Sequence, residues 1–459
     1  MNSIVSAPIN PPLPGSKNLD AEARRLLNFG LAAKGPRGAA YLDEYGKPDP
    51  TQGTATWITA RMLHSHALGK LLGVPGSAEL ASAMLAGLSN SLHDGENGGW
   101  YHGLDAAGIP DQAGGKSAYD HAFVMLAAAS AVTAGIEPLP GYPTAQALLA
   151  DAVQVYLAMF WDEAQGRPVD TWDVTFSSLD PYRGLNATMH AVEAMLAVAD
   201  AGPPAQAAAW LDRAARASAL VVDLAGQYDG RLPEHFVADS CGRWAVDLEL
   251  NAAHPDDQFK PYGSTPGHGF EWARLLLHLE AALAACDDAA ISIAFPPGQL
   301  LATAQRLFER AKADAWAADG AAGFVYTVDW QGKPVVRTRM HWVVAEALAA
   351  AAALSRRTGL ACYRADYGHW LDYAETYLID RVNGSWHHEL DEGNRPAASV
   401  WPGKPDIYHA LQASLIPGLP LYPALTKSLK LAMSGDGGNR CTPTGRTASQ
   451  IPKCRYRAK

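Results

Sequence analysis

A short aromatic element with a Gly or Asp turn recurs along the chain, and this recurrence restricts the fold more than any other feature. It reads GGWYHGLDAAG from 98, FWDEAQGRPVDTWD from 160, QYDGRLPEHF from 227, GFVYTVDWQGKP from 323 and GSWHHELDEGNRP from 384. Successive copies stand roughly 60 to 70 residues apart, with one wider gap, about the length of two helices and their connections. Between them, apolar residues fall at three- and four-residue intervals, as in 120–134, 187–200, 206–225, 269–286, 342–356 and 407–416. That period predicts amphipathic helices.

Five junctions bracket six helical hairpins, and a closed ring of six buries the inner face of every inner helix. The expected class is therefore all-α, an (α/α)6 barrel with short β-hairpins at the helix-hairpin junctions. An open α-solenoid is the alternative, but it needs polar capping repeats and offers a long concave face to a protein partner; the aromatic hairpins argue against it. Alanine runs such as ALAAAAAL at 347–354, with only short β-branched runs elsewhere, favour helix over sheet. Residues 1–17 and 434–459 lack hydrophobic period and are expected to be disordered tails, the second one basic, around a single barrel domain over 18–433.

The chain has 459 residues, 48% apolar and 18% charged, enough material for a large core. Its net charge of −10 is dispersed, and no basic stripe of the kind nucleic-acid binding needs is present. No window has the uninterrupted apolar length of a membrane span, and MNSIVSAPINPPLPGS lacks the pattern of a signal peptide, so a cytoplasmic location is expected. Cys241, Cys286 and Cys362 are widely spaced, Cys441 and Cys454 lie in the tail, and no CxxC pair points to zinc or a disulfide framework.

Four segments place polar residues on otherwise apolar helices: TATWITARMLH (Arg61), RGLNATMHAVEAML (Asn186, His190, Glu193), STPGHGFEWARLLL (His268, Glu271) and KPDIYHALQASLIP (His409). Pro-Gly and Pro-Asp ahead of the last two histidines mark helix starts, where the positive end of the macrodipole disfavours imidazolium and keeps the ring available as a base. Asn186 and His190 are four apart, while His190 and Glu193, like His268 and Glu271, are three apart, so each group shares a helix face. A carboxylate beside a histidine fixes its tautomer and raises its basicity. Two HxxE pairs also fit a metal-binding bundle, although acid-base work accounts for them without a metal.

These segments, taken in order with GGWY, EHF, VYTVDWQGKPVVR and GSWHHELD, resemble the N-acylglucosamine 2-epimerase superfamily, and within it the branch of mannose and sulfoquinovose isomerases. The resemblance covers about residues 20 to 430. It implies an (α/α)6 barrel without a required metal or nucleotide, a monosaccharide substrate, and a pocket at Arg61, Tyr119, Asn186, His190, His268, Glu271, Trp342, Glu346 and His409. It further implies that His268 and His409 are the acid-base pair. Where sulfosugar members hold a sulfonate with an Arg and two glutamines, this chain has Gln258, His388 and Pro405. Losing a fixed cation and amide donors favours a neutral hexose.

The reaction expected is aldose-ketose isomerisation, with mannose and fructose as the pair, through a cis-enediol. His268, held by Glu271, assists ring opening and moves protons between oxygens; His409 takes the C2 proton; His190, Asn186 and Arg61 stabilise oxyanion charge. Three alternatives share the barrel: a sugar 2-epimerase, a glycoside hydrolase using Glu271 and Glu346, and a sugar-binding protein without turnover.

Overall fold

The computed structural model describes residues 13–15, 19–286, 291–293 and 295–434. Its helices are α1 (Leu19–Gly30), α2 (Thr56–Leu71), α3 (Ser77–Ser89), α4 (Ala118–Ala134), α5 (Ala145–Val155), α6 (Leu185–Ala201), α7 (Pro204–Gln227), α8 (Pro266–Ala284), α9 (Gln299–Ala315), α10 (His341–Thr358), α11 (Ala361–Tyr373), α12 (Tyr408–Leu415) and α13 (Leu425–Met433). The even-numbered helices form an inner ring in which α2 packs on α4, α4 on α6, and so on to α12, which returns to α2. Each has an odd-numbered outer partner, and α1 serves α12, so the first helix in sequence closes the ring against the last of its inner helices. This is the (α/α)6 arrangement, and α13 lies across α2, α4 and α6 at their C-terminal ends.

Burial follows from composition. The inner α10 is buried almost all round, from Val343 through Ser355, because its turns are mostly alanine and can be approached closely from every side. The outer α9 is amphipathic and buries Leu300, Thr303, Ala304, Leu307, Phe308 and Ala311, a single stripe at helical spacing. Gly135 and Gly359, at φ 66° and 70°, end α4 and α10 in the left-handed conformation that stops a helix cleanly.

The junctions share one design. Asp43, Asp105, Asp173, Asp239, Asp329 and Asp391 each start a tight turn closed by backbone hydrogen bonds, and each carboxylate accepts from backbone N–H groups two to four residues on. Glycine fills the left-handed position at Gly46, Gly108, Gly242 and Gly332, while Phe176 and Asn394 adopt positive φ in the other two turns. The turns at Asp43 and Asp239 fall outside the aromatic segments singled out in the sequence, and the one at Asp43 begins a sixth copy. The strands are two to four residues long and pair antiparallel, the largest set being Tyr182–Gly184 on His235–Ala238 on Trp244–Val246.

Of the tail expected over 1–17, Leu13 to Gly15 are described; Leu13 is buried in the core there, which corrects the expectation at that residue because its side chain joins the apolar cluster. The rest of that tail apart from these residues, and all of 434–459 except Ser434, lie outside the described residues. Among the described residues no helix is long and apolar enough to cross a membrane.

Candidate active site

The inner helices begin at one end of the barrel, so residues in their first two turns converge on a common space. That space is a cavity of about 650 Å³, counted out to its opening. Arg61, Tyr119, Asn186, His190, His268, Glu271, Trp342 and His409 all line it, as do Gln258, His388 and Pro405. All six inner helices thus contribute a residue expected from the sequence, α12 through His409.

His268 is the third residue of α8, and its Nδ1 lies 3.0 Å from Glu234 Oε2, in the segment just before the central strand of the three-stranded sheet. His409 is the second residue of α12, and its Nδ1 lies 2.9 Å from Glu346 Oε1. Each imidazole is therefore oriented by a buried carboxylate, leaving Nε2 as the nitrogen able to exchange a proton with a ligand. Burial, reinforced by the Arg61 charge, holds His409 well below the ordinary imidazole pKa, so it is neutral at pH 7. Trp342 sits between the two rings, its centroid 5.0 Å from His268 and 5.8 Å from His409. Gly267 permits this: a Cβ there would lie 2.5 Å from the Trp342 ring.

Two expectations are corrected. Glu271 does not hold His268; although three residues apart on one helix, Glu271 lies a turn deeper, 3.4 Å from Arg274 and 3.9 Å from His190, while the His268 ring swings to Glu234. Glu346 does not line the cavity but stands behind His409, its other oxygen accepting from Arg274 Nε at 2.9 Å. Of the two carboxylates considered for a hydrolase, only Glu271 therefore lines the cavity.

Beneath the cavity lies a buried charged layer that sequence reading missed. Arg274 is surrounded by Glu346, Glu271 and Glu193. Burial pushes Glu271 well above the usual carboxylate range, and the neighbouring charges of Glu346 and Glu193 add to it against the opposing charge of Arg274. Glu193 is buried too, yet its bonds from Tyr408 and Gln412, the approach of His190 Nδ1 at 3.5 Å and the charge of Arg274 outweigh desolvation and hold it below the usual carboxylate range. Arg274 was visible as a basic residue three positions after Glu271 on an apolar helix, a signal that the sequence reading did not use. Arg61 is both structural and accessible: it bonds Asp406 at 3.2 Å and Tyr119 Oη at 2.9 Å, its guanidinium packs over the Trp57, Phe123 and Tyr408 rings, and it lines the cavity.

Ligand atoms of His190, Glu193 and Glu271, and of Glu271, Glu346 and His409, lie within 4.8 Å of one another, close enough for a metal ion. The Arg274 guanidinium already stands among these three carboxylates, and a dication there would meet its positive charge. The donor set therefore fits a buried ion pair better than a metal with an open coordination position.

The roof comes from two loops. Phe259 meets Trp401, Trp57, Tyr119 and His102 edge to face at centroid distances of 5.5 to 6.4 Å. Gln258 Nε2 donates to Val400 O at 3.3 Å, His235 Nε2 contacts Pro261 O at 2.8 Å, and Glu389 takes the backbone N–H groups of Ser399, Val400 and Trp401. His341, also missed, lines the cavity with an unpartnered Nε2 and stacks on His388 at 3.9 Å.

The chain matches the family model of N-acylglucosamine 2-epimerase (GlcNAc 2-epimerase) over residues 38–413. It is 48% identical over 418 residues to the D-mannose isomerase of Thermobifida fusca, a match spanning 90% of this chain and 96% of that one. To the D-mannose isomerase of Pseudomonas cannabina pv. alisalensis it is 45% identical over 413 residues, 90% of this chain and 94% of that one. A crystal structure of a D-mannose isomerase shares the fold with a TM-score of 0.76 at 24% identity, covering 87% of this chain and 97% of that one. The cellobiose 2-epimerase of Spirochaeta thermophila does so with a TM-score of 0.69 at 19% identity, covering 88% and 97%. A family match over most of the ring, with relatives near half identical along almost their whole length, makes this chain a member of the N-acylglucosamine 2-epimerase family.

Proposed function

We propose that the chain is an aldose-ketose isomerase that interconverts D-mannose and D-fructose through a cis-enediol. Two relatives named D-mannose isomerase, at 48% and 45% identity over nearly their full length, support the substrate pair. The observation that carries the chemistry is the pair of carboxylate-backed imidazoles on either side of Trp342.

In the forward direction His268, oriented by Glu234, assists ring opening. His409 Nε2 takes the proton from C2 of the open aldose, the C–H electron pair moves through C1 onto O1 to give a cis-enediolate, and the resulting imidazolium is stabilised by Glu346. His268 carries the O2 proton to O1, and the ketose forms as His409 returns its proton to C1 and C2 becomes the carbonyl. A neutral imidazole suits both removal and return. Glu271 faces the sugar from the cavity wall, and Arg61, Asn186 and His190 meet the charge that develops on O1 and O2.

A neutral hexose is favoured over a sulfonated one because Gln258, not a cation, lines the cavity at the place considered for sulfonate binding. A cytoplasmic setting agrees with the free thiols of Cys241, Cys286 and Cys362. The second reading, 2-epimerisation, draws support from the same two histidines, since reprotonation of C2 from the opposite face needs a second base across the cavity.

Proton NMR of the chain with mannose in heavy water separates the readings. Fructose with deuterium at C1 is the expected product; glucose with deuterium at C2 and no fructose would replace isomerisation by epimerisation.

A further inference from the structure

The opposite end of the ring holds a second cavity, about 800 Å³ counted to its opening, formed by the C-terminal halves of α4, α6 and α8 with α13 and its preceding loop. It is comparable to the active-site cavity and separated from it by the charged layer, since Glu193 and Arg274 belong to its wall as well. Most of that wall is apolar, with Leu126, Leu196, Leu211 and Leu275 among its side chains.

Three polar atoms on wall residues are buried and have no hydrogen-bond partner: His64 Nε2, His278 Nε2 and Gln412 Oε1. Buried polar groups are normally satisfied, and three unpaired ones on the wall of one cavity point to a ligand that pairs them. Their chemistry specifies its polar part. Gln412 gives its amide N–H to Glu193, so its oxygen is an acceptor. His64 and His278 are neutral, burial bringing their pKa values down to about 4 and about 3, and a neutral imidazole offers one donor and one acceptor nitrogen. A hydroxyl group both donates and accepts, and so matches this set.

Charge specifies the rest. Glu193 and Arg274 compensate each other inside, and Asp200 and Lys427 bring both signs to the wall. A ligand of either sign therefore meets like charge on the wall, the carboxylates of Glu193 and Asp200 for an anion and Arg274 and Lys427 for a cation.

We infer that the base of the barrel is a second small-molecule site, built for a neutral ligand with hydroxyl groups on an apolar body and distinct from the sugar pocket. The inference does not depend on which reaction the sugar pocket performs.

Hexane-1,2-diol is the probe, with hexanoate and hexylammonium as charged controls, followed by ligand-observed proton NMR on the full chain. Saturable diol binding is expected, at least tenfold tighter than either control, and unchanged in His409→Ala. Ala207→Trp, which fills the wall from a partly exposed position, should abolish it, and His278→Leu should weaken it at least threefold; circular dichroism verifies that each variant is folded. Absence of saturable binding overturns the site. So does diol binding that survives Ala207→Trp, or hexanoate binding as tightly as the diol.

Discussion

The junctions that lead into α8 and α12 differ from the other four, and the difference falls at the helices that carry His268 and His409. From Asp43 to Thr56 and from Asp105 to Ala118 the chain runs 13 residues, and from Asp173 to Leu185 and Asp329 to His341 it runs 12. From Asp239 to Pro266 it runs 27, and from Asp391 to Tyr408 it runs 17. The added residues include Gln258, Phe259 and Pro261 in one loop and Trp401 and Pro405 in the other, and together they roof the cavity. Those same loops deliver the chain into the helices that carry His268 and His409. The unextended units supply walls: Arg61, Tyr119, Asn186, His190 and Trp342. A surface loop lengthens at small entropic cost, whereas changing an inner helix disturbs the whole ring, so a repeat gains function most cheaply at its junctions.

The sharpest test of this division compares one histidine from each kind of unit. His409→Ala, in an extended unit, should lower kcat by at least the roughly 100- to 10,000-fold typical of general acid-base catalysis and abolish C2 proton exchange with it. His190→Ala, in an unextended unit, should leave both measurable. Equal losses would erase the distinction, and retained C2 exchange without ketose in His409→Ala would move the base to His268.

The next effect concerns what stands behind each imidazole. Glu346→Gln leaves Arg274 short of a buried partner, so it should cost stability, on the order of 3 to 5 kcal/mol by denaturant unfolding, as well as turnover. Glu234→Gln touches no arginine in the layer and should lower kcat with little change in unfolding free energy. If both variants unfold alike, the two relays are not the different structures described above.

Phe259→Ala tests the roof. Removing the ring that meets Trp57, Tyr119 and Trp401 opens the mouth, and KM for mannose should rise about tenfold or less with kcat less affected, the pattern of lost binding that is uniform between ground and transition states. A kcat loss as large as that of His409→Ala would mean that the roof participates in proton transfer. Replacing Gln258 by Arg in the same loop should favour a sulfonated hexose over mannose by about 1 to 3 kcal/mol in relative binding. Unchanged relative affinity would separate Gln258 from the ligand.

A further effect is spread over the buried histidines. His64, His66, His121, His190, His278 and His341 are held by burial at pKa values of about 3 or 4. Unfolded histidine takes a proton near pH 6.5. Between these values the unfolded chain binds more protons, so stability should fall as pH drops below about 6.5. His102 has the opposite sign: Asp120 raises it to about 9, and its contribution is complete below the unfolded value and lost as pH rises through 9. A melting temperature unchanged from pH 7 to 4.5 would contradict the buried neutral histidines.

The repeat length, the 3.6-residue period and the proline-marked helix starts determined the six-hairpin ring and the convergence of Arg61, Asn186, His190, His268 and His409, because helical spacing and first-turn position are local properties of a chain. Glu193 beside His190 was legible for the same reason. Which carboxylate each of the other two histidines meets was not. Glu271 shares a face with His268 in sequence, yet a rotamer directed out of the first turn reaches Glu234, 34 residues earlier, and His409 finds Glu346, 63 residues away. The raised pKa of Glu271, the Arg274 layer and the stacked His341 and His388 likewise exist only because separate helices are pressed together, where desolvation and neighbouring charge act on groups that are remote along the chain. Tertiary structure alone also decided that the extra residues before α8 and α12 turn back over the barrel mouth, since a loop's path is set by the surfaces it covers, here Trp57 and Tyr119, rather than by its own composition.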